Sequence, residues 1–422
     1  MADVTSTIKD LSNAEPLSNC DFLVVNQPNA FNAITQQLGD TRRITFENLK
    51  NSVVESIHSW DIVSQPYLNE PIIFASAARH RVTIRGGTRL VLGERVFFVH
   101  NDVEINIPDK LDTGSISNGK DYYLYLIHGG DGLDIVPSLL KPAPTGLNPA
   151  DVKLIGGLHT LCANAGTGMT FFMGNSSYPL SHYLNGYAAN DILPYTVWCL
   201  NHLPESDPEG MFFDPQMGHW VDIYRQSQSG LATKSVFHGG VVQSRQYVDH
   251  VEDMLCVNKQ LLSDEEFASA AMGSNEQTAV GAWNGNAAAT EAAAIQGGAG
   301  GRVDTAGRRM ISIYGAEEMC GCQWQWLRTT SAGGVDGSIY AQTSTTPTYG
   351  WIAPTISAYG PYGQAGNKGS YWGLAGALLA GGHWSLGASC GSRSRAASTS
   401  RSSADTYHGG RGRSRPRRVI AY

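Results

Sequence analysis

Between residues 80 and 160 apolar side chains recur at every second position. Val82 and Ile84, Leu90 and Leu92, then Val103, Ile105 and Ile107, then Tyr122, Leu124 and Leu126 alternate with other residues. A period of two turns one face of a strand toward a core and the other away from it. Gly-Gly, Asn-Asp and Gly-Asp pairs separate the runs, so a β-sandwich or small barrel is predicted. Pro142, Pro144 and Pro149 mark a loop before one more strand, Val152 to Leu158. Residues 165–190 are rich in Gly, Asn, Ser and Tyr and read as a linker.

Helical spacing is rarer. Leu49, Val53, Val54 and Ile57 share one side of a predicted helix from Glu47 to Ile57. Tyr247, Val251, Met254 and Leu255 do the same between Gln246 and Cys256. Ser263 followed by Glu266 is a capping box that opens a helix carrying Phe267, Ala270 and Ala271. The stretch from Ala287 to Gly301 is of low complexity, either a short helix running into a glycine hinge or a surface insertion. Beyond Gly297, Gly, Ser, Thr, Tyr and Trp dominate, and long irregular loops are predicted. The expected organisation is a small module at 1–60, a β-rich domain at 61–180 and a third domain at 190–422. The fold class is α+β, mostly β and irregular loops.

Composition sharpens this picture. Gly supplies 48 of 422 residues, beside nine Trp and 18 Tyr, which argues for turns and aromatic anchors against a helical bundle. No run is long and apolar enough for a transmembrane helix; Leu374 to Gly382 is too short. The first ten residues lack the basic-then-apolar order of a secretory signal. Seven scattered cysteines fit buried free thiols, and Cys320 and Cys322 are too close in sequence for a zinc pair on their own. No acidic loop has calcium-ligand spacing; Asp214, Asp222 and Asp336 stand alone. No metal and no cofactor are expected.

The net charge of −7 excludes a globally basic nucleic-acid binder. It is unevenly spread. Gly391 to Arg418 holds eight Arg and one acid, Asp405, so this stretch carries +7 and the rest −14. An Arg-rich tail can contact RNA, but a surface tail or a contact to a neighbouring subunit is the reading preferred here. Membrane insertion is not expected.

Four landmarks in the third region follow in a set order: Leu261-Leu262-Ser263-Asp264-Glu265-Glu266-Phe267, Gly321-Cys322-Gln323-Trp324-Gln325-Trp326, Gly381-Gly382-His383-Trp384 and Gly409-Gly410-Arg411-Gly412. Asp207-Pro208-Glu209-Gly210-Met211 and Trp220-Val221-Asp222-Ile223-Tyr224 precede them, and Gly119-Lys120-Asp121-Tyr122 and Lys153-Leu154-Ile155-Gly156-Gly157 lie in the β region. This series resembles the variable proteins of diversity-generating retroelements, the phage tropism determinants among them. They share a C-type-lectin-like fold with formylglycine-generating enzymes. The resemblance runs from about 85 to 415. Separately, LSNCDFLVVNQ and TRRITFENLK near the N-terminus resemble the attachment modules of phage tail-fibre and adaptor proteins.

The resemblance implies a homotrimeric receptor-binding protein at the tip of a phage tail fibre, made in the host cytoplasm and carried on the virion. Module 1–60 would join other tail proteins, and the C-terminal domain would meet a host cell-surface protein or glycan. It also implies a variable region at about 381–412, with diversified positions His383, Ser385, Leu386, Ser389, Ala396, Ser398, Thr399, Ser403, Asp405, Tyr407 and His408. Tyr407 and His408 are the expected anchors. From the residues themselves, Gly381, Gly382, Gly391, Ser392, Gly410 and Gly412 look fixed among side chains of no consistent period. Trp324, Trp326, Trp384, Arg393 and Arg411 are assigned to the frame, Trp384 as a buried anchor and Arg393 as a residue pinning a loop through carbonyls.

Two catalytic alternatives are weaker. A glycan-degrading enzyme needs two carboxylates on a cleft. Asp264 to Glu266 read better as helix-start residues and Glu317-Glu318 as a solvated turn. A formylglycine-type oxidase needs a reactive thiol pair, and Cys390 is the only cysteine in the C-terminal loops. No catalytic residue is therefore assigned.

Overall fold

The alternation of residues 80–160 is realised as strands. The computed structural model describes residues 70–417 apart from 94, 130–131, 172–179, 276–297, 333–373 and 398. The predicted module at 1–60, most of the Ala-rich stretch and Ser398 lie outside the described residues. The first half contains β1 (Ile73–Ala75), β2 (Arg81–Ile84), β3 (Arg89–Leu92), β4 (Arg95–Phe98), β5 (Val103–Asn106), β6 (Asp121–Gly129), β7 (Gly132–Ser138) and β8 (Val152–His159). The short pair β9 (Thr170–Phe171) and β10 (Leu180–Ser181) and then β11 (Trp198–Cys199) follow. One sheet has the order β1-β2-β5, a hairpin joins β3 to β4, and a second sheet has the order β11-β8-β6-β7.

Val82, Ile84, Leu90, Leu92, Tyr122, Leu124 and Leu126 meet in one buried cluster with Ile72, Ile73, Ile135 and Ile155. Two positions depart from the simple alternation. Val103 is exposed, because β5 is an edge strand. Ile107 is buried, but it starts a single helical turn, Ile107–Lys110, whose Pro108 suits a first turn where no N–H is needed.

Strand β6 is buried on both faces. Tyr123 and Tyr125, read only as the residues between the apolar ones, pack with Trp198, Met211 and Trp220 in a separate cluster. That cluster joins the β-rich half to the C-terminal half. The Tyr125 hydroxyl donates to the Leu140 carbonyl at 2.9 Å, so burying this polar tip leaves it bonded. His159 adds a polar rivet: its two ring nitrogens lie 2.9 Å from Asp121 and 2.9 Å from the Tyr224 hydroxyl.

The C-terminal half holds β12 (Met211–Asp214), β13 (His219–Asp222), α1 (Tyr247–Cys256), β14 (Gln260–Leu261), α2 (Asp264–Ala270), β15 (Trp324–Ala332), β16 (Leu374–Gly381), β17 (Gly391–Ala396), β18 (His408–Gly409) and β19 (Gly412–Ser414). Its sheets have the orders β12-β13-β19-β14 and β17-β16-β15-β18. Both predicted helices are present. The Ser263 hydroxyl accepts from the Glu266 amide at 3.2 Å, and Glu266 accepts from the Ser263 amide at 2.6 Å. The molecule is α+β, mostly strand and irregular loop.

Three expectations are corrected. The linker at 165–190 is not one, since Ala165, Phe171 and Leu184 belong to the largest apolar cluster, with Phe212, Phe267 and Ile313. Gly and Asn there serve tight turns under a core rather than a flexible spacer. The Arg-rich end is not a surface tail over its described length. β19 sits inside a sheet between β13 and β14, and Arg417 N donates to the Leu203 carbonyl at 2.8 Å. Glu317 and Glu318 are not a solvated turn: their exposures are 1% and 0%.

Candidate functional site

The stretch expected to vary consists of two loops beside one sheet. The first leaves β16 at Gly381 and Gly382, with φ of 92° and 83°. These backbone angles suit glycine, and a Cβ at Gly381 would come within 2.4 Å of the Met319 carbonyl oxygen. The second loop runs from the end of β17 to β18.

Three rings meet where the loops face each other. The centroids of His383 and Tyr407 are 4.1 Å apart, those of Trp384 and Tyr407 4.6 Å, and those of His383 and Trp384 5.5 Å. All three are half-buried, so the cluster offers apolar area to a partner without leaving the surface. Partial burial lowers the pKa of His383. Ser385 and Ser389 are exposed, while Ser403, Asp405 and Thr399 are half-buried. Leu386 leans on the large core and Ala396 on the cluster around Trp326.

His408 does not belong to this outer face. It is 6% exposed, lies in β18, and sets its ring against Trp326 at 4.9 Å. Of the two expected anchors, only Tyr407 is displayed. Along the outer loop the most exposed residues are Ser402, Ala404 and Thr406, which alternate with the predicted positions 403, 405 and 407.

The frame residues divide in the same way. Trp326 is fully buried against Met254, Leu261 and Leu379. Trp324 is partly buried beside them. Trp384 is not the buried anchor expected, because its ring is shared with Tyr407 at the surface. Arg393 is exposed. Arg411, which has no exposure, pins carbonyls. Arg411 donates to the carbonyls of Asp222 (2.7 Å), Ile223 (2.6 Å) and Glu317 (2.6 Å) and to Gln325 Oε1 (2.8 Å). Burial lowers its pKa to about 10, which still leaves it charged at neutral pH.

Sequence reasoning missed the buried ionic layer beneath the loops. Arg225 pairs with Glu318 at 2.7 Å, Arg309 with Glu317 at 2.5 Å and Lys259 with Asp222 at 2.6 Å. Gln323 and Gln325 alternate with Trp324 and Trp326 along the chain, so one face of this segment is polar and the other aromatic. That alternation was visible in Gly321 to Trp326, and only its aromatic half was used.

The outer loop and the strand after it are attached to the frame through their backbone. Tyr247 N donates to the Arg401 carbonyl (3.0 Å), Ser244 N to Asp405 (3.2 Å), Trp324 N to Tyr407 (2.8 Å) and Gln226 N to Gly410 (2.9 Å). Such bonds do not depend on which side chains the loop carries.

The residues named for the catalytic alternatives are differently employed. Glu317 and Glu318 are locked in ion pairs, and Glu266 pairs with Arg328 at 2.9 Å. A cavity of about 300 Å³ lies between residues 165–171, His182, 273–275 and 307–309, and no carboxylate lines it among the described residues. Burial pushes the Cys322 thiol up to about 12 and the Cys390 thiol up to about 11, the opposite of what a reactive pair needs. Among the described residues no group of three or more His, Cys, Asp or Glu could hold a metal ion, and no helix is long and apolar enough to cross a membrane.

Residues 72–199 match the family described as Mtd second domain. Solved structures of the Major Tropism Determinant superpose along most of the chain. The U1 variant gives a TM-score of 0.59 at 20% identity, covering 86% of this chain and 87% of that one. The I1 and P3c variants each give 0.59 at 20% identity, covering 85% and 87%. The chain has the Major Tropism Determinant fold. No curated protein sequence matches it. The Mtd second-domain segment ends at Cys199, on β11, which pairs with β8. Tropism-determinant likeness over the remainder rests on the superposition, which covers 86% of the chain.

Proposed function

We propose that this chain is a phage receptor-binding protein that displays a diversifiable face on a lectin-like scaffold. It sits at a tail-fibre tip as a homotrimer, with residues 1–60 attaching it to the virion. The face comprises His383, Ser385, Leu386, Ser389, Ala396, Ser398, Thr399, Ser403, Asp405 and Tyr407, and its partner is a host cell-surface protein or glycan. His408, assigned to this set on the resemblance alone, acts from below as a frame residue. The Major Tropism Determinant name of the superposed structures supports this reading.

One observation carries it. The loop holding these side chains is tied down at its main-chain carbonyls by the backbone amides of Ser244, Tyr247 and Trp324, so its side chains can change while its path does not. Individual contacts on a face rich in Ser and Ala are weak, and several trimers on one particle would gain by avidity of roughly 10² to 10⁴.

The test has two arms. Purified full-length chain is incubated with a panel of bacterial strains, and the 3′ end of its gene is sequenced deeply across a passaged phage population. Binding restricted to some strains, with substitutions confined to the face codons and absent from Arg411 and Trp326, is the expected result. A chain that adsorbs to no strain, together with a uniform substitution rate, would overturn the proposal.

A further inference from the structure

We propose that Gln323 is the positioning residue of the face: its side-chain amide sets the backbone around Tyr407 and so aims the ring cluster at the partner. This deepens the display reading and rests on it. Gln323 has no exposure and is not on the face.

Chemistry fixes which way its amide points. Arg225 Nη1 lies 2.9 Å from one amide atom of Gln323. A guanidinium donates and never accepts, so that atom is Oε1, and the NH₂ group faces the loop. There Nε2 donates to the carbonyls of Thr406 (3.1 Å) and His408 (3.3 Å), and also of Val242 (3.4 Å). The next residue's backbone N–H, that of Trp324, takes the carbonyl between them, Tyr407, at 2.8 Å. Two adjacent frame residues therefore hold three successive carbonyls of the outer loop.

Those carbonyls define the peptide planes on both sides of Tyr407. With both planes fixed, the direction in which its Cα–Cβ bond leaves the chain is fixed too, and the ring falls onto Trp384 and His383. The loop approaches the amide closely: a Cβ on Gly409 would lie 2.7 Å from Gln323 Oε1. Behind Gln323 the support is rigid. Arg225 Nε donates to Glu318 at 2.8 Å, and Glu318 accepts from the Gly300 amide at 2.9 Å. Because the grip is on main-chain oxygens, it holds whatever side chains occupy 405 to 407, as a diversified loop requires.

The discriminating variant is Gln323→Glu in the full-length chain. It keeps the volume and the acceptor for Arg225, and it replaces the donor with an oxygen facing two carbonyl oxygens. Amide hydrogen exchange at residues 405–410 is expected to rise roughly tenfold, the effect of losing one or two net hydrogen bonds. The near-ultraviolet circular dichroism of the ring cluster is expected to shrink, and exchange in the β1–β8 half to stay as it was. Gln323→Met, which lacks both donor and charge, should behave alike and replaces the first variant if that fails to fold. Unchanged exchange and ring signal in a folded variant, changes spread evenly over the chain, or global unfolding of both variants would each overturn the proposal. On any strain that adsorbs the wild type, binding should fall together with the ring signal. Failure of the receptor-binding reading would appear separately, as wild-type chain that adsorbs to no strain, while the exchange result stands by itself.

Discussion

Residues 399–407 and residues 409–414 adjoin in sequence and lead opposite lives. In the first stretch the side-chain hydrogen bonds described run one or two positions along the chain: Ser400 to Ser402, Thr406 to Asp405, and the Tyr407 amide to Asp405. In the second, Arg411 reaches Asp222, Ile223, Glu317 and Gln325, Arg413 reaches Gln260, and Ser414 accepts from Ser206. A side chain bonded only to its neighbours can be exchanged at little cost to the fold. One bonded across the chain cannot, because its loss strands several buried partners. The two stretches are thus separated by the range of their side-chain hydrogen bonds, while the Tyr407 ring still reaches His383 and Trp384.

The sharpest way to break this contrast is to attack the ionic layer. Glu318→Ala leaves Arg225 buried without its carboxylate and should destabilise the chain by about 3–5 kcal/mol. Thermal melting followed by near-ultraviolet circular dichroism checks this. A loss below about 1 kcal/mol would mean that water or a neighbouring group replaces the carboxylate, and that the layer is not what holds the loops.

Acid should attack the same side of the contrast. His250 lies beneath Gly410, with Nδ1 2.6 Å from Gln226 Oε1, and burial lowers its pKa to about 4. The folded state therefore binds fewer protons than the unfolded state between about pH 4 and 6.5, so stability falls as pH drops through that window. Each such histidine contributes up to about 1.4 kcal/mol per pH unit there. His182 and His202, also lowered to about 4 by burial, add to the slope. His250→Gln should flatten the pH dependence of Tm, and His383→Gln, on the half-buried face, should change it much less. Equal flattening by the two variants would erase the distinction between frame and face.

Trp384 tests the boundary between the two. A fully buried tryptophan would cost about 3–5 kcal/mol on truncation, and the half-buried ring should cost about 2 kcal/mol. Adsorption to a host strain should suffer more than melting does. A melting loss at the upper end would return Trp384 to the frame.

Legibility in the sequence followed physical regularity. Strands β2 and β3 could be read because Val82 and Ile84, and Leu90 and Leu92, are buried at period two, and both C-terminal helices because their apolar spacing or capping residues are local. Tyr123 and Tyr125 misled, since a strand packed on both sides loses its alternation, and tyrosine is apolar enough for the second side. The linker at 165–190 misled because Gly and Asn mark turns whether or not a core lies beneath them. Arg411 is fully buried, while the burial expected of Trp384 is found at Trp326. Nothing local in the sequence tells a buried arginine from an exposed one two turns of loop away. The pairing of Glu317 with Arg309 and of Glu318 with Arg225 was illegible in another way. It depends on loop segments brought together across the fold, and charged residues in a row look solvated until their partners are known.

The smallest expected effect is the most demanding of the display reading. Ser385 is exposed, and its hydroxyl meets only the ring of His383, at 3.0 Å, two residues away. Thr399 is half-buried at the start of the outer loop. Ser385→Ala and Thr399→Ala should each shift stability by no more than about 0.5 kcal/mol. On the display reading, binding to a host strain should nevertheless change, since Ser385 adjoins the ring cluster through His383 and Thr399 lies on the outer loop. Melting and adsorption measured on one preparation give the ratio that matters. If either variant lost several degrees of Tm, the loop would be using that side chain to fold. A surface rewritten codon by codon cannot tolerate such dependence, and the main-chain bonds of Arg401, Asp405, Tyr407 and Gly410 would then be insufficient to hold the loop by themselves.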